Sequence, residues 1–361
     1  MGQKCNSYYT DRIYRIRFHP PTVPRHIPSF DTMLRTAVSL AVFAALASLL
    51  VVLGYAMTPI SLPADSVDFS ISPGSSLRSA ARQMNEAGIP THAGLFELLA
   101  RVSRNHRAIK AGSYELSLGA TPWDLLRKIT SGDFSMVEVV FIEGWTFRQI
   151  RAALDAHPSI RHDSTGLGDA EIMNRLGSDG VPAEGRFFPD TYLFGKGESD
   201  LAVLARANRA MNKRLESAWS RRATDLPLRN ADEALILASI VEKETGSPKE
   251  RALIAGVFIN RLRIRMPLQT DPTVIYGLGP RFDGNLRKRD LLADTPFNTY
   301  TRNGLPPHPI ANPGAAALLA AVTPERTDAL YFVARGDGTH QFSSTLDEHN
   351  RAVSRYQRQG K

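Results

Sequence analysis

The chain has 361 residues, 43% of them apolar, enough for two or three domains with real cores. Its one cysteine, Cys5, excludes an intramolecular disulfide, and neither a Cys/His cluster with zinc-ligand spacing nor a glycine-rich phosphate loop is present. The net charge of +8 is scattered and no nucleic-acid module is visible, so nucleic acid is not an expected partner; acidic polymers or anionic lipid surfaces fit the balance.

Residues 1–32 are rich in Pro and Arg without apolar periodicity, which predicts disorder. Thr36 to Met57 is a run of 22 residues without a charge, the length of one membrane-spanning helix. Six Lys/Arg (Lys4, Arg12, Arg15, Arg17, Arg25, Arg35) precede it, and none follows until Arg78. The positive-inside rule places residues 1–35 in the cytoplasm and everything after about residue 58 outside. A cleaved signal peptide is the rival, but the run is long for one and Gly54-Tyr55-Ala56 makes a poor cleavage site. A start at Met33 would give a short basic lead into the same helix.

Val67, Phe69 and Ile71 alternate as a strand. Ser75 or Ser76 can cap a helix that Gly88 stops, and a second helix covers about 94–103. Gly112 to Leu116 is a short strand, and Thr121-Pro122 opens a third helix. This small α+β unit, about 58–135, resembles the LysM-like module of cell-wall proteins, which implies a glycan-contacting or positioning role; a plain spacer is the alternative. Met136 to Ile142 reads as a strand, Thr146 as the cap of a helix to about Ala156, and 157–180 as a loop or short helical insertion. The aromatic segment EGRFFPDTYLF (184–194) suits either a sugar-stacking groove wall or a core plug. Leu201 to Arg222 is an amphipathic helix with Leu204, Met211, Leu215 and Trp219 on one side.

Asp232 to Thr245, DEALILASIVEKET, organises the remainder. At ~100° per residue, Ile236, Leu237, Ile240 and Val241 share one arc, Glu244 falls near its middle, and Glu242 falls on the opposite side. A carboxyl held against apolar side chains loses solvation for its charged form, so its pKa rises, as a general acid at neutral pH requires. The alternative is that Glu244 ends the helix where the face is already wet, or that an Arg neutralises it. KERALIAGVFINRL then reads as a helix with Leu253, Val257 and Leu262 inward and Asn260 and Arg261 closing it. The polar QTDPT insert before VIYG needs partners, because a buried unpaired polar group costs ~1–3 kcal/mol. DTPFNTYTRNGLPPHPIAN (294–312) is an ordered loop of sugar-suited side chains. A helix follows Pro313, and 330–343 is a hairpin around Gly336-Asp337-Gly338 that delivers His340.

The blocks ASIVEKET, VFINRLR, LQTDPTVIYG, FNTYTRNGLPP, PIANPG and YFVARGDGTHQF, in this order, resemble the MltG/YceG-like endolytic murein transglycosylases. EGRFFPDTY matches as well, and the resemblance covers about residues 60–355. It implies an α+β protein with one transmembrane helix (36–57), the LysM-like βαα module (58–135) and a mixed α/β catalytic domain (136–361). It implies cleavage of the MurNAc–GlcNAc β-1,4 bond within nascent peptidoglycan strands to 1,6-anhydro-MurNAc ends, without a metal or other cofactor. It further implies a single-pass inner-membrane protein that terminates glycan elongation beside peptidoglycan synthases. The family's catalytic glutamate is the second Glu of EKET, here Glu244. Gln269, Thr270, Asp271, Tyr276, Asn298, Tyr300 and His340 are candidate sugar contacts by block and polarity. His308 stands where the family pattern has Gly, and is expected to face solvent. A water-admitting muramidase and a non-enzymatic glycan-binding scaffold are the competing readings.

Overall fold

A computed structural model describes residues 30–358, except that the Thr32 and Arg358 side chains are not described. The expected disorder of residues 1–32 therefore lies largely outside the described residues. The chain divides into two units, 1–58 and 59–361. The first unit holds α1 (Phe30–Met57), a helix that begins six residues before the charge-free run. Helix formation needs no uniform polarity, so the helix extends past Arg35, and only its Met33–Met57 part is apolar enough to cross a membrane. Leu40, Phe43 and Leu50 on it are about two-thirds or more exposed, as suits side chains that face lipid rather than water.

The second unit opens with β1 (Ser66–Ile71), α2 (Leu77–Glu86), α3 (Ala93–Val102), β2 (Gly112–Ser117) and α4 (Pro122–Ser131). Ser76 caps α2, and Thr121 with Asp124 forms a capping box on α4. β1 and β2 pair antiparallel with Phe69 opposite Tyr114, whose rings stack at 5.4 Å. Next come β3 (Met136–Val140), α5 (Phe147–Asp155), α6 (Asp169–Arg175), β4 (Thr191–Gly195) and α7 (Asp200–Ser220). β3 pairs antiparallel with β4, and Thr146 caps α5. The 184–194 aromatics are a core plug: Phe187, Phe188, Tyr192 and Phe194 are all buried, and Phe187 stacks on Phe147 at 4.6 Å. No groove wall is built from them.

The chain then forms α8 (Ala231–Glu244), α9 (Arg251–Arg263), α10 (Asp271–Leu278), α11 (Lys288–Leu292), α12 (Ala315–Val322), β5 (Tyr331–Ala334), β6 (His340–Ser343) and α13 (Leu346–Val353). β5 and β6 make the expected hairpin, so every sheet among the described residues is an antiparallel pair. α8 is the centre of the larger core. Every residue from Ala234 to Val241 is buried, so the helix has no wet face. The small side chains of α12 lie against it. This corrects the two-faced reading: Glu242 does not point to solvent. Its side chain is 6% exposed, accepts the Gly314 N–H at 2.9 Å and lies 3.4 Å from Arg251. On α9 the inward residues are Ile254, Val257, Phe258 and Arg261, whereas Leu253 and Leu262 are only partly covered.

Gly185 follows Glu184 with φ +80°, and a Cβ there would lie 2.4 Å from the Pro309 Cβ. Both the left-handed backbone and the close approach exclude a side chain. Gly185→Ala is expected to cost about 2–4 kcal/mol, the sum of αL strain and overpacking, measured as a shift in the denaturation midpoint.

Candidate active site

α8 stops at Glu244 because Thr245 is already extended, at φ −146° and ψ 134°. The carboxyl therefore sits at the negative end of a helix dipole. Glu244 keeps intermediate exposure, yet protein packs densely around its carboxyl. Burial pushes its pKa up, and the nearby charge of Asp271 adds to the rise. The Thr270 hydroxyl donates to Oε1, and that bond, with the Arg261 guanidinium and the nearby His340 ring, pulls the other way. The group is thus desolvated but reachable, the combination a general acid needs.

Thr270 is held by a hydroxyl network. Its N–H donates to Thr299 Oγ1 at 3.1 Å, and Thr273 Oγ1 donates to Thr270 O at 2.8 Å while pairing with Thr299 at 2.9 Å. The QTDPT insert thus finds its partners inside the protein and on Glu244. Gln269 is exposed, with a left-handed backbone (φ +49°) that a non-glycine residue adopts only at a cost. Asp271 is exposed and accepts the Tyr300 hydroxyl at 2.6 Å. His340 is fixed by Glu250, which takes its N–H at 2.9 Å and contacts its Nδ1 at 2.8 Å.

The fold brings Thr270, Asp271, Tyr300 and His340 around Glu244. It places two candidates elsewhere. Asn298 is fully buried, and its amide is spent on the carbonyls of Leu291 and Ala293 and the N–H of Tyr300. Tyr276 packs edge-on against Phe297 at 4.9 Å and hydrogen-bonds Glu184. His308 does not face solvent: it is half-buried against Phe297 (4.7 Å) and Tyr276 (5.7 Å), and burial lowers its pKa.

Two residues take places that the sequence did not show, Arg261 beyond its part in closing α9 and Glu184 beyond its aromatic block. Arg261 is buried, donates to the carbonyls of Leu330 (2.6 Å) and Leu268 (2.7 Å), and sets a positive charge near Glu244. The available signal was its place one helical turn after Val257, on the buried face. Glu184 is 8% exposed, accepts the Phe147 N–H at 3.0 Å, and burial pushes its pKa up to about 7.

Thr270→Val removes a bond that favours the Glu244 carboxylate, so the Glu244 pKa rises further. A general acid works below its pKa, so the alkaline limb of the kcat/KM–pH profile is expected to move to higher pH. Glu184 gives a stability signature. Its folded pKa, about 7, lies above the ordinary 4.5, so its contribution is complete below about pH 4.5 and is lost as pH rises through 7. The loss amounts to roughly 3 kcal/mol. Glu184→Gln is expected to remove this share of the slope in denaturation curves taken from pH 4 to 8.

The model of the YceG-like family matches residues 69–355. The chain belongs to the YceG-like family. Among curated YceG-like relatives, the endolytic murein transglycosylase of Bacillus subtilis is 33% identical over 81% of the chain and 85% of its own length. The endolytic murein transglycosylase of Streptococcus pneumoniae serotype 2 is 28% identical over 80% of the chain, which spans 58% of that longer relative. The crystal structure of a YceG-like protein from Listeria monocytogenes aligns with a TM-score of 0.51 at 30% identity, over 80% of the chain and 99% of that protein.

Proposed function

We propose that this YceG-like chain is an endolytic murein transglycosylase, with Glu244 as its acid and base. One observation carries the mechanism: a desolvated carboxyl with raised pKa ends a buried helix among sugar-suited groups. Glu244 donates its proton to the glycosidic oxygen as the C1–O bond breaks. It then, as carboxylate, takes the proton from the C6 hydroxyl of the same MurNAc while O6 bonds to C1. No water is consumed, and a 1,6-anhydro end results. The substrate 2-acetamido group supports the oxocarbenium-like centre. Gln269, Thr270, Asp271, Tyr300 and His340 contact or position the sugar rings.

α1 anchors the protein in the inner membrane, with the N-terminus cytoplasmic and the catalytic region outside. The 58–135 unit acts as a LysM-like glycan-positioning module, and 136–361 as the catalytic domain. The strands being polymerised are the substrate, so peptidoglycan synthases are the expected neighbours and chain termination the outcome.

Asp271 favours a second reading. An exposed carboxyl close to a buried one is the pair a hydrolase uses, with Asp271 activating water. Mass spectrometry of digested sacculi separates the two, because the anhydro product lacks one water. Hydrolysed ends that vanish in Asp271→Asn would establish the muramidase.

A further inference from the structure

A cavity of about 830 Å³ is lined by α5, α6, the 180–184 segment, Ile275 and Tyr276 of α10, and Phe282. None of Glu244, Thr270, Asp271 and Tyr300 lines it. We propose that it is a second glycan subsite, which takes a neutral N-acetylated sugar residue of the strand being cut. This rests on the glycan reading of the Glu244 site.

Four observations support the assignment. The volume lies in the range of ligand pockets and far above that of a trapped water. Phe147, Val181, Ile275 and Phe282 give the walls apolar surface for a pyranose C–H face and an acetamido methyl. The lining includes a nearly buried carboxyl, Glu184, held by the Phe147 N–H and the Tyr276 hydroxyl, and the exposed Asp169. The Glu184 and Asp169 carboxyls are balanced by Arg148 in the lining and by Arg151, 3.0 Å from Asp169, so the cavity offers an anion no net positive charge. A hydroxylated neutral ligand can donate to both carboxyls, and Glu184, with a pKa near 7, can itself donate when protonated. Finally, α10 joins the two sites. Thr270 stands just before its first residue and holds Glu244, and Tyr276 lies six residues on, ~9 Å along the helix, a reach that neighbouring rings of one strand span. Tyr276 is thus a sugar contact at the second subsite rather than beside the acid.

The test uses full-length Glu244→Gln protein in detergent micelles, titrated calorimetrically with N,N′-diacetylchitobiose. Ala170 is exposed on α6 at the cavity wall, so Ala170→Trp fills the space from outside the core. It is expected to weaken binding roughly tenfold or more without moving the melting temperature. Phe282→Ala, which removes apolar wall from the segment after α10, is expected to do the same and guards against a local disturbance of α6. Chitobiose binding that is absent, or equal in the parent and both variants, overturns the subsite. So does a stem tripeptide that binds there in its place. The activity is read separately on sacculi with wild-type protein. Absent anhydro ends with chitobiose binding still lost in Ala170→Trp would sink the activity and leave the subsite. Normal anhydro ends with unaffected binding would sink the subsite alone.

Discussion

Glu244→Gln is expected to lower kcat for release of anhydro-muropeptides by about 10²–10⁴-fold, the usual worth of a positioned acid–base group. The amide keeps the shape of the carboxyl and still accepts the Thr270 hydroxyl, so the hydroxyl network around 270, 273 and 299 survives. It cannot donate a proton to a leaving oxygen or take one from O6. Because burial disfavours the Glu244 charge, the variant is also expected to be at least as stable as wild type at pH 8. Mass spectrometry of digested sacculi, beside a melting curve, checks both halves. Full activity in a folded Glu244→Gln protein would remove Glu244 from the chemistry.

Glu242→Ala is expected to do the reverse, costing about 3–5 kcal/mol of stability. Glu242 and Arg251 are 6% and 13% exposed, so removing the carboxylate leaves a buried guanidinium without its partner and the Gly314 N–H without an acceptor. Arg251 Nε already has no hydrogen-bond partner among the described residues, so little nearby can compensate. The double variant Glu242→Ala/Arg251→Met should recover part of the loss, since no charge is then stranded. Chemical denaturation of the full chain in detergent measures both. A Glu242→Ala loss below about 1 kcal/mol would return the residue to the solvated role first expected of it.

These two glutamates also mark how far the sequence could be read. Caps were legible because they are local: Ser76, Thr121 and Thr146 each bind an N–H three residues on. The angular separation of Glu242 and Glu244 was legible too. The number of neighbours around α8 was not. Periodicity orients the faces of one helix relative to each other, and the run AAALLAAV that covers a further face of α8 lies more than 70 residues away. The polar cost of QTDPT correctly demanded partners, yet nothing local said that Thr270 would meet Glu244. Asn298 misled for a physical reason: an amide suits a sugar and a loop's own carbonyls equally, and only the fold decides between them. Glu184 was hidden within an aromatic block whose burial turned an ordinary carboxyl into a perturbed one.

The setting of Glu244 is assembled from distant parts of the chain: the end of α8, the start of α10, Arg261 on α9, and His340 on the last hairpin. His340 arrives only with β6, so the surroundings of Glu244 are complete only once the last hairpin has docked. A chain clipped before residue 340 therefore lacks part of that setting. On the proposed reading, completion of folding is itself the safety catch on a tool that cuts the wall its own cell is building.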